Sequence, residues 1–291
     1  MTADALNGDV LARLRRGERA LLAGLTMPAA LTILVVVFLP VFWLSSLSFL
    51  DRAGDLSLEN YRRLAGDIYV DAFVVTFQIS AAVTAICVLL GYPLAYWLCR
   101  QPPRIANLLL ICVLLPFWTA VLVRTYAWLV LLQRRGLVNS TLISLGIIDQ
   151  PLQLAFNLPA SIIGMVHIML PFLVLPLYAS MKAIDGDLVR AAIGLGSTPT
   201  GAFWRVFVPM SLPGLFAGVV LVFVLSLGFY VTPALLGGGR VQMIAQRIES
   251  TITIFSNWGA ASALGVVLLV MALALVAILH RAFGLDRLFV R

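Results

Sequence analysis

DLVRAAIGLGSTPTGAFWRVFVPMSLP, residues 187–213, is a polar stretch punctuated by glycine and proline between two long apolar segments. Ala191, Ala192 and Gly196 are small, which lets a short helix lie close against another surface. Gly196-Ser197-Thr198-Pro199 then predicts a turn. Glycine tolerates unusual dihedrals, Ser or Thr caps the next helix, and proline suits the first turn of that helix. Residues 200–207 read as a second short helix carrying Phe203, Trp204 and Phe207. Pro209 and Pro213 are expected to end it and to start the next apolar segment. Two short helices joined by a tight turn make a rigid elbow, whose meaning depends on the segments either side.

Those segments belong in lipid. Hydrophobic residues make up 62% of the 291 residues and charged residues 11%; a soluble domain carries roughly 45–50% and about 25%. One globular core cannot hide that excess. About 20 apolar residues cross a bilayer as a helix, and six stretches qualify: 21–48, 73–98, 108–132, 158–180, 213–236 and 260–280. All are expected to be helical, because an open strand would leave backbone groups unpaired in lipid. The fold class is therefore an all-α membrane protein with six transmembrane helices. The net charge of +7 is too thinly spread for a nucleic-acid surface. With the N-terminus inside, twelve cations fall in inside segments and seven in outside ones, so the positive-inside rule predicts N-in, C-in. That orientation puts the loop at about 182–212 in the cytoplasm.

Residues 1–20 form an N-terminal cytoplasmic segment. Within it, 9–19 sets Val10, Leu11 and Leu14 against a basic remainder; it reads as an amphipathic helix on the headgroups or as a disordered basic tail. The rest, 21–291, is a single transmembrane domain. Residues 49–72 suggest a short surface helix around Leu58, Tyr61, Leu64 and Tyr69. Residues 133–157 and 238–259 mix apolar and polar positions and are expected to fold back on the membrane surface, where a soluble partner could dock. The first apolar run is too long for a signal-peptide core. Cys87, Cys99 and Cys112 lie within or at the edge of apolar runs and read as packing residues, not a disulfide or metal site.

The loop fits a family pattern at Arg190, Ala191, Ala192, Gly196, Val206, Val208 and Pro209. That pattern is Glu-Ala-Ala, three residues, Gly, nine residues, then Ile-x-Leu-Pro. The chain resembles a binding-protein-dependent ABC importer permease of the type I (MetI-like) fold, and more narrowly the first permease subunit of spermidine/putrescine-type transporters. LLPFWTAVLVRTYAWLVLLQRRGLVN (114–139), GYPLA (91–95), FYVTPALLGGG (229–239) and MIA (243–245) carry the narrower likeness. The resemblance implies a bacterial inner-membrane subunit that forms half of a pathway for a small polar solute, a polyamine or a related compound. It implies a second homologous permease, two ATPase subunits beneath, an extracytoplasmic solute-binding protein and surrounding lipid as partners. Arg190, Ala191, Ala192, Gly196, Ser197, Trp204, Val206 and Pro209 would then form the ATPase-coupling loop. Arg190 stands where the family has Glu, and would meet an acidic residue on the ATPase.

The chain has no Gly-x4-Gly-Lys-Ser/Thr loop, so ATP and Mg belong to the partner subunits, and no catalytic residue, metal or cofactor is expected here. Candidate pathway or gate residues are Trp118, Arg124, Tyr126, Tyr230 and Thr232. Arg124 is an ionisable group within a span, which is costly and faces protein or water. Trp118, Tyr126 and Trp128 could stack on it or on a substrate cation; alternatively Arg124 snorkels and the aromatics form an interface belt. Pro116, Pro171, Pro176 and Pro233 read as bends, and Gly228 and Gly237 as sites of close packing. His167 reads as an interhelical hydrogen-bonding residue. No Asp or Glu lies inside a span, which argues against the alternative of an ion-coupled secondary transporter and leaves a polycation no carboxylate on this half of its path. An intramembrane enzyme finds no HExxH, aspartate pair or Ser–His dyad.

Overall fold

The computed structural model describes residues 3–51 and 54–283, and among them the chain is helical, with one isolated bridge between Leu50 and Leu56. Helix α1 is Ala3–Leu47. At 1.5 Å per residue its 45 residues extend about 68 Å, well beyond a hydrocarbon core of about 30 Å. No residue of its apolar window is buried; within the chain it touches the last helix near its C-terminal end, and the rest of its surface is left to lipid or another chain. The basic stretch 9–19 continues this helix without a break; all its side chains but Glu18 lie outside the described residues, as do Arg287 and Arg291.

A short helix α2 (Glu59–Arg63) leads to α3 (Asp67–Cys99). The expected surface helix is thus one short turn, and its second half belongs to the span. Asn60 fixes the connection by donating to the Ser48 and Leu50 carbonyls at 3.1 and 2.8 Å. Two long helices complete the core with α3: α7 (Leu158–Lys182), and the continuous run Pro199–Leu227 that ends in α10 (Val208–Leu227). Ile79, Val83 and Cys87 of α3 meet Met165, Ile168, Met169 and Leu173 of α7 and Val222 of α10, all nearly inaccessible. A second cluster of Ala95, Leu98, Val174, Leu177 and Met181 fills the α3–α7 contact towards the elbow.

The third span is not one helix. It consists of α4 (Pro103–Leu114), a 3-10 turn (Leu115–Trp118), and α5 (Val121–Leu132) with α6 (Leu137–Ser144); the two halves meet at 96°. Pro116 lacks the N–H that would continue the ladder, and Thr119 and Ala120 are extended. Five helices are long and apolar enough to cross a membrane, or six if the bent pair counts as one span. Pro171 and Pro176 lie within a continuous α7. The fifth span also departs from expectation. It ends at Leu227, and residues 231–236 form a separate helix α11 (Val231–Leu236) in which Pro233 lies in the first turn. Helix α12 (Ile244–Thr253) packs on α3 and on α13 (Trp258–Phe283), the last span.

Gly214 and Gly218, four apart, make the crossing of α10 over α7 possible. A Cβ on Gly214 would lie 2.2 Å from the Ser180 Cβ and 2.8 Å from the Pro176 carbonyl. Gly237 is similarly confined by Pro233, Val241 and Ser161, but nothing lies within 4 Å of a Cβ on Gly228, so close packing does not explain that residue.

Candidate functional site

The elbow begins with α8 (Gly186–Gly194). The Asp185 side chain caps it, accepting from the Asp187 N–H at 2.9 Å. It ends in a left-handed turn. Gly196 has φ +92°, its N–H donates to the Ile193 carbonyl at 2.9 Å, and the Ser197 N–H donates to the Ala192 carbonyl at 3.1 Å. This paired closure satisfies the last carbonyls of the helix and requires a residue without Cβ strain at Gly196. Gly196 therefore shapes the turn; close approach to a neighbour within the chain plays no part, since the space around it is open. Thr198 caps the next helix, α9 (Pro199–Ala202), accepting from the Gly201 N–H at 3.1 Å, with Pro199 in its first turn.

Pro209 and Pro213 do not end this second helix. It passes through a π turn at Phe203–Phe207 into α10 without a break. The wide turn falls just before Pro209, whose missing N–H would leave a carbonyl of a regular α turn unpaired. The second helix of the elbow is thus the direct extension of a membrane span.

An aromatic cluster seats it. Tyr96, near the end of α3, lies 4.9 Å from the ring of Phe203 and 5.1 Å from that of Phe207, both edge-on. The Arg100 guanidinium sits over the Tyr96 ring, 4.2 Å from its centre, a cation–π pair. Tyr92 and Ser211 share a hydrogen bond at 2.9 Å one turn deeper. Tyr96 and Arg100 were not among the predicted residues; an aromatic one turn before the basic end of a span is the signal that points to them. Tyr96→Leu removes two edge contacts of about 0.5–1.5 kcal/mol each. The expected result is faster amide exchange across the elbow with the spans unchanged, read by hydrogen–deuterium exchange.

Away from this seat the elbow is open. Leu195 is 90% exposed and Trp204 64%, and Arg190, Ala191 and Pro209 are exposed, with Ala192, Ser197 and Val206 half-buried. Arg190 is engaged within its own helix: its Nε donates to the Asp187 carboxylate at 2.9 Å, and that hydrogen bond and charge raise its pKa further.

The five pathway candidates divide. Thr125 of α5 and Thr232 of α11 share a hydrogen bond at 3.1 Å and both are fully buried. The Thr232 hydroxyl is therefore committed to a helix contact and does not line a cavity. Arg124 and Tyr126 flank Thr125 in α5 and Tyr230 precedes α11, but Tyr126 and Tyr230 are exposed while Thr232 is buried, so the candidates share a neighbourhood and not one surface. Trp118 lies beyond the bend and is 83% exposed. Trp128 Nε1 donates to His167 Nδ1 at 3.1 Å, joining α5 to α7. The Arg124 Nε is buried without a hydrogen-bond partner, and among the described residues no carboxylate pairs with Arg124. The cation–π contact that forms is at Arg100, not at Arg124.

Over residues 10–287 the chain matches the family described as "binding-protein-dependent transport system inner membrane component". It is 35% identical over 252 residues to the spermidine/putrescine transport system permease protein PotB of Haemophilus influenzae, covering 84% of this chain and 88% of that protein. The PotB protein of Escherichia coli is 34% identical over 250 residues, 84% and 91% of the two chains. In three dimensions the chain superposes on a bacterial alginate ABC transporter solved with an alginate pentasaccharide-bound periplasmic protein. The TM-score is 0.73 at 17% identity, over 91% of this chain and 94% of the other.

Proposed function

The chain belongs to the family of binding-protein-dependent transport inner membrane components, and from that premise we propose that its elbow is where ATP-driven motion enters and that its cargo is a polyamine. It is a multi-pass inner-membrane permease subunit of an ABC importer. Membership in that family implies an ATPase and a solute-binding protein as partners. In our reading two ATPases bind beneath this permease and a second, similar one, with the elbow in the cytoplasm and both termini inside. ATP and Mg bind to those partners. ATP binding draws the elbows together, and the permease pair alternates between inward- and outward-facing states.

One observation carries this reading. The elbow exposes Leu195 at its turn and Trp204 on its second helix, and that second helix is continuous with α10 and seated on α3 through Tyr96. A force on Trp204 therefore reaches two core spans through unbroken helix and the aromatic seat. The cargo follows from the names of the relatives, spermidine and putrescine. To an ammonium this chain offers the exposed faces of Trp118, Tyr126 and Tyr230.

Ser197→Cys tests the contact. In a membrane carrying the co-expressed ATPase, the half-exposed residue at the turn should crosslink to it, in a yield that changes with nucleotide. No crosslink in any nucleotide state would overturn the placement.

A further inference from the structure

Beneath the elbow, facing the ends of α3 and α7, lies a half-open cavity of about 390 Å³. That volume is within the range of small-molecule sites, about 300–1,000 Å³. Arg100, the first residue after α3, and Lys182, the last of α7, both line it. Its remaining wall includes Tyr96, Cys99, Phe203 and Phe207. Among the described residues no carboxylate lines it. The nearest acids in sequence are turned to other tasks: Asp185 caps α8, and Asp187 holds Arg190. Among the described residues neither Arg100 nor Lys182 has a carboxylate partner. Lys182 is the sole lysine of the chain, and Cys99 lies within electrostatic reach of both cations.

Two cations without a carboxylate converge on one partly apolar cavity at the end of membrane spans, and so form a receptor for a phosphate-type anion that carries a greasy portion. We infer that this cavity binds the phosphate of an anionic phospholipid, with Arg100 and Lys182 as its ligands and Phe203 and Phe207 against its glycerol and acyl region. Basic pockets between spans at the cytoplasmic face hold such headgroups. The inference rests on the proposed cytoplasmic placement of the elbow. Its consequence is specific: the anion bridges α3 and α7 under the elbow, so lipid composition sets how firmly the elbow is held. Free phosphate shares the headgroup chemistry and is the competing source.

The test uses the full chain with its co-expressed partners, in a Cys112→Ser background, in nanodiscs. Cys112 is exposed and Cys87 is buried, so the maleimide adduct on this chain, read by its mass apart from the partners, reports Cys99 within the cavity. Phosphatidylglycerol in a phosphatidylcholine disc should slow labelling of Cys99, and native mass spectrometry should show phosphatidylglycerol retained over phosphatidylcholine. Lys182→Gln should weaken the protection, with retention falling roughly fivefold, and Arg100→Gln with Lys182→Gln should abolish it, with retention falling more than about tenfold. Equal labelling with and without phosphatidylglycerol, or unchanged retention in the double variant, overturns the site. Protection by inorganic phosphate alone in phosphatidylcholine discs, equal to that by the lipid, overturns the lipid and leaves the anion. An unaltered labelling rate for both variants in pure phosphatidylcholine confirms that the cavity is intact. Labelling by an impermeant reagent on intact cells reports the side of the membrane separately. An elbow found outside would therefore be recognised apart from an empty cavity.

Discussion

Replacing Leu195 and Trp204 together with aspartate should leave this permease inserted and folded but strip it of its ATPase. Leu195 is 90% exposed and Trp204 64%, the latter touching only the edge of Phe203 among aromatic rings. Surface changes of that kind cost within about 0.5 kcal/mol of fold stability. Docking is different. A Leu and a Trp that become buried against a partner contribute roughly 1.5–3 kcal/mol each, and large apolar anchors dominate interfaces of this kind. Their loss, with two carboxylates set into the same surface, should weaken docking by more than about 100-fold, at about 1.4 kcal/mol per tenfold. Co-purification of the ATPase measures the docking, import into vesicles the consequence, and the thermal midpoint the fold. A double variant that retains the ATPase at the normal ratio and imports at the normal rate would remove the elbow from the coupling scheme.

These two residues make a better test than Gly196. Any substitution there forces a side chain into φ +92°, a conformation that L-residues adopt at a cost. A transport defect in such a variant would mix a distorted turn with a blocked contact. Leu195 and Trp204 have ordinary backbone angles, and the one edge contact Trp204 makes, to Phe203, is read separately by the thermal midpoint. Arg190 is less informative too, because Asp187 already engages it within α8.

Much of this could be read from the residues. The elbow was legible because turn chemistry is local. Thr198 and Pro199 open a helix and Gly196 closes one, whatever the surroundings. Spans of uniform apolar character were legible too, because lipid removes the choice between helix and strand. Punctuation was legible only in part. The span breaks at 96° just after Pro116, at Thr119 and Ala120, while Pro171 and Pro176 leave α7 continuous, and the sequence around each is equally apolar. The difference is tertiary, since α7 is held on several sides by α3, α10 and α11. Pro209 and Pro213 misled for a related reason. A π turn absorbs the first, and the second lies in a helix already clamped by its neighbours. Thr232 read as cavity-lining because a hydroxyl in an apolar span invites that role; its partner, Thr125, is 107 residues away. Tyr96 left only the faint signal of an aromatic one turn before a basic span end, since its contacts with Phe203 and Phe207 exist only once the elbow folds back on α3.

The glycines of α10 set the second large effect. Gly214→Ala should disable the permease more severely than any single change in the elbow. A methyl at that position would lie 2.2 Å from the Ser180 Cβ and 2.8 Å from the Pro176 carbonyl, so the two core helices must separate. Small residues spaced four apart are the means by which helix backbones approach in lipid, where no hydrophobic force draws them together. Overpacking of this kind costs typically about 1–3 kcal/mol, and for a chain of this size each kcal/mol lowers the thermal midpoint by about 2–4 °C. Because α10 carries the elbow and α7 lies across it, the same separation should also slacken the lever, so import should fall more than stability alone explains. Ser180→Gly supplies the control. In the Gly214→Ala background it removes the shorter clash and leaves the carbonyl contact at 2.8 Å. Midpoint and import should therefore recover together, in part. The coupling measured across the four variants should be on the order of 0.5–3 kcal/mol. Additive losses would mean that the α7–α10 crossing is not where the two helices are locked.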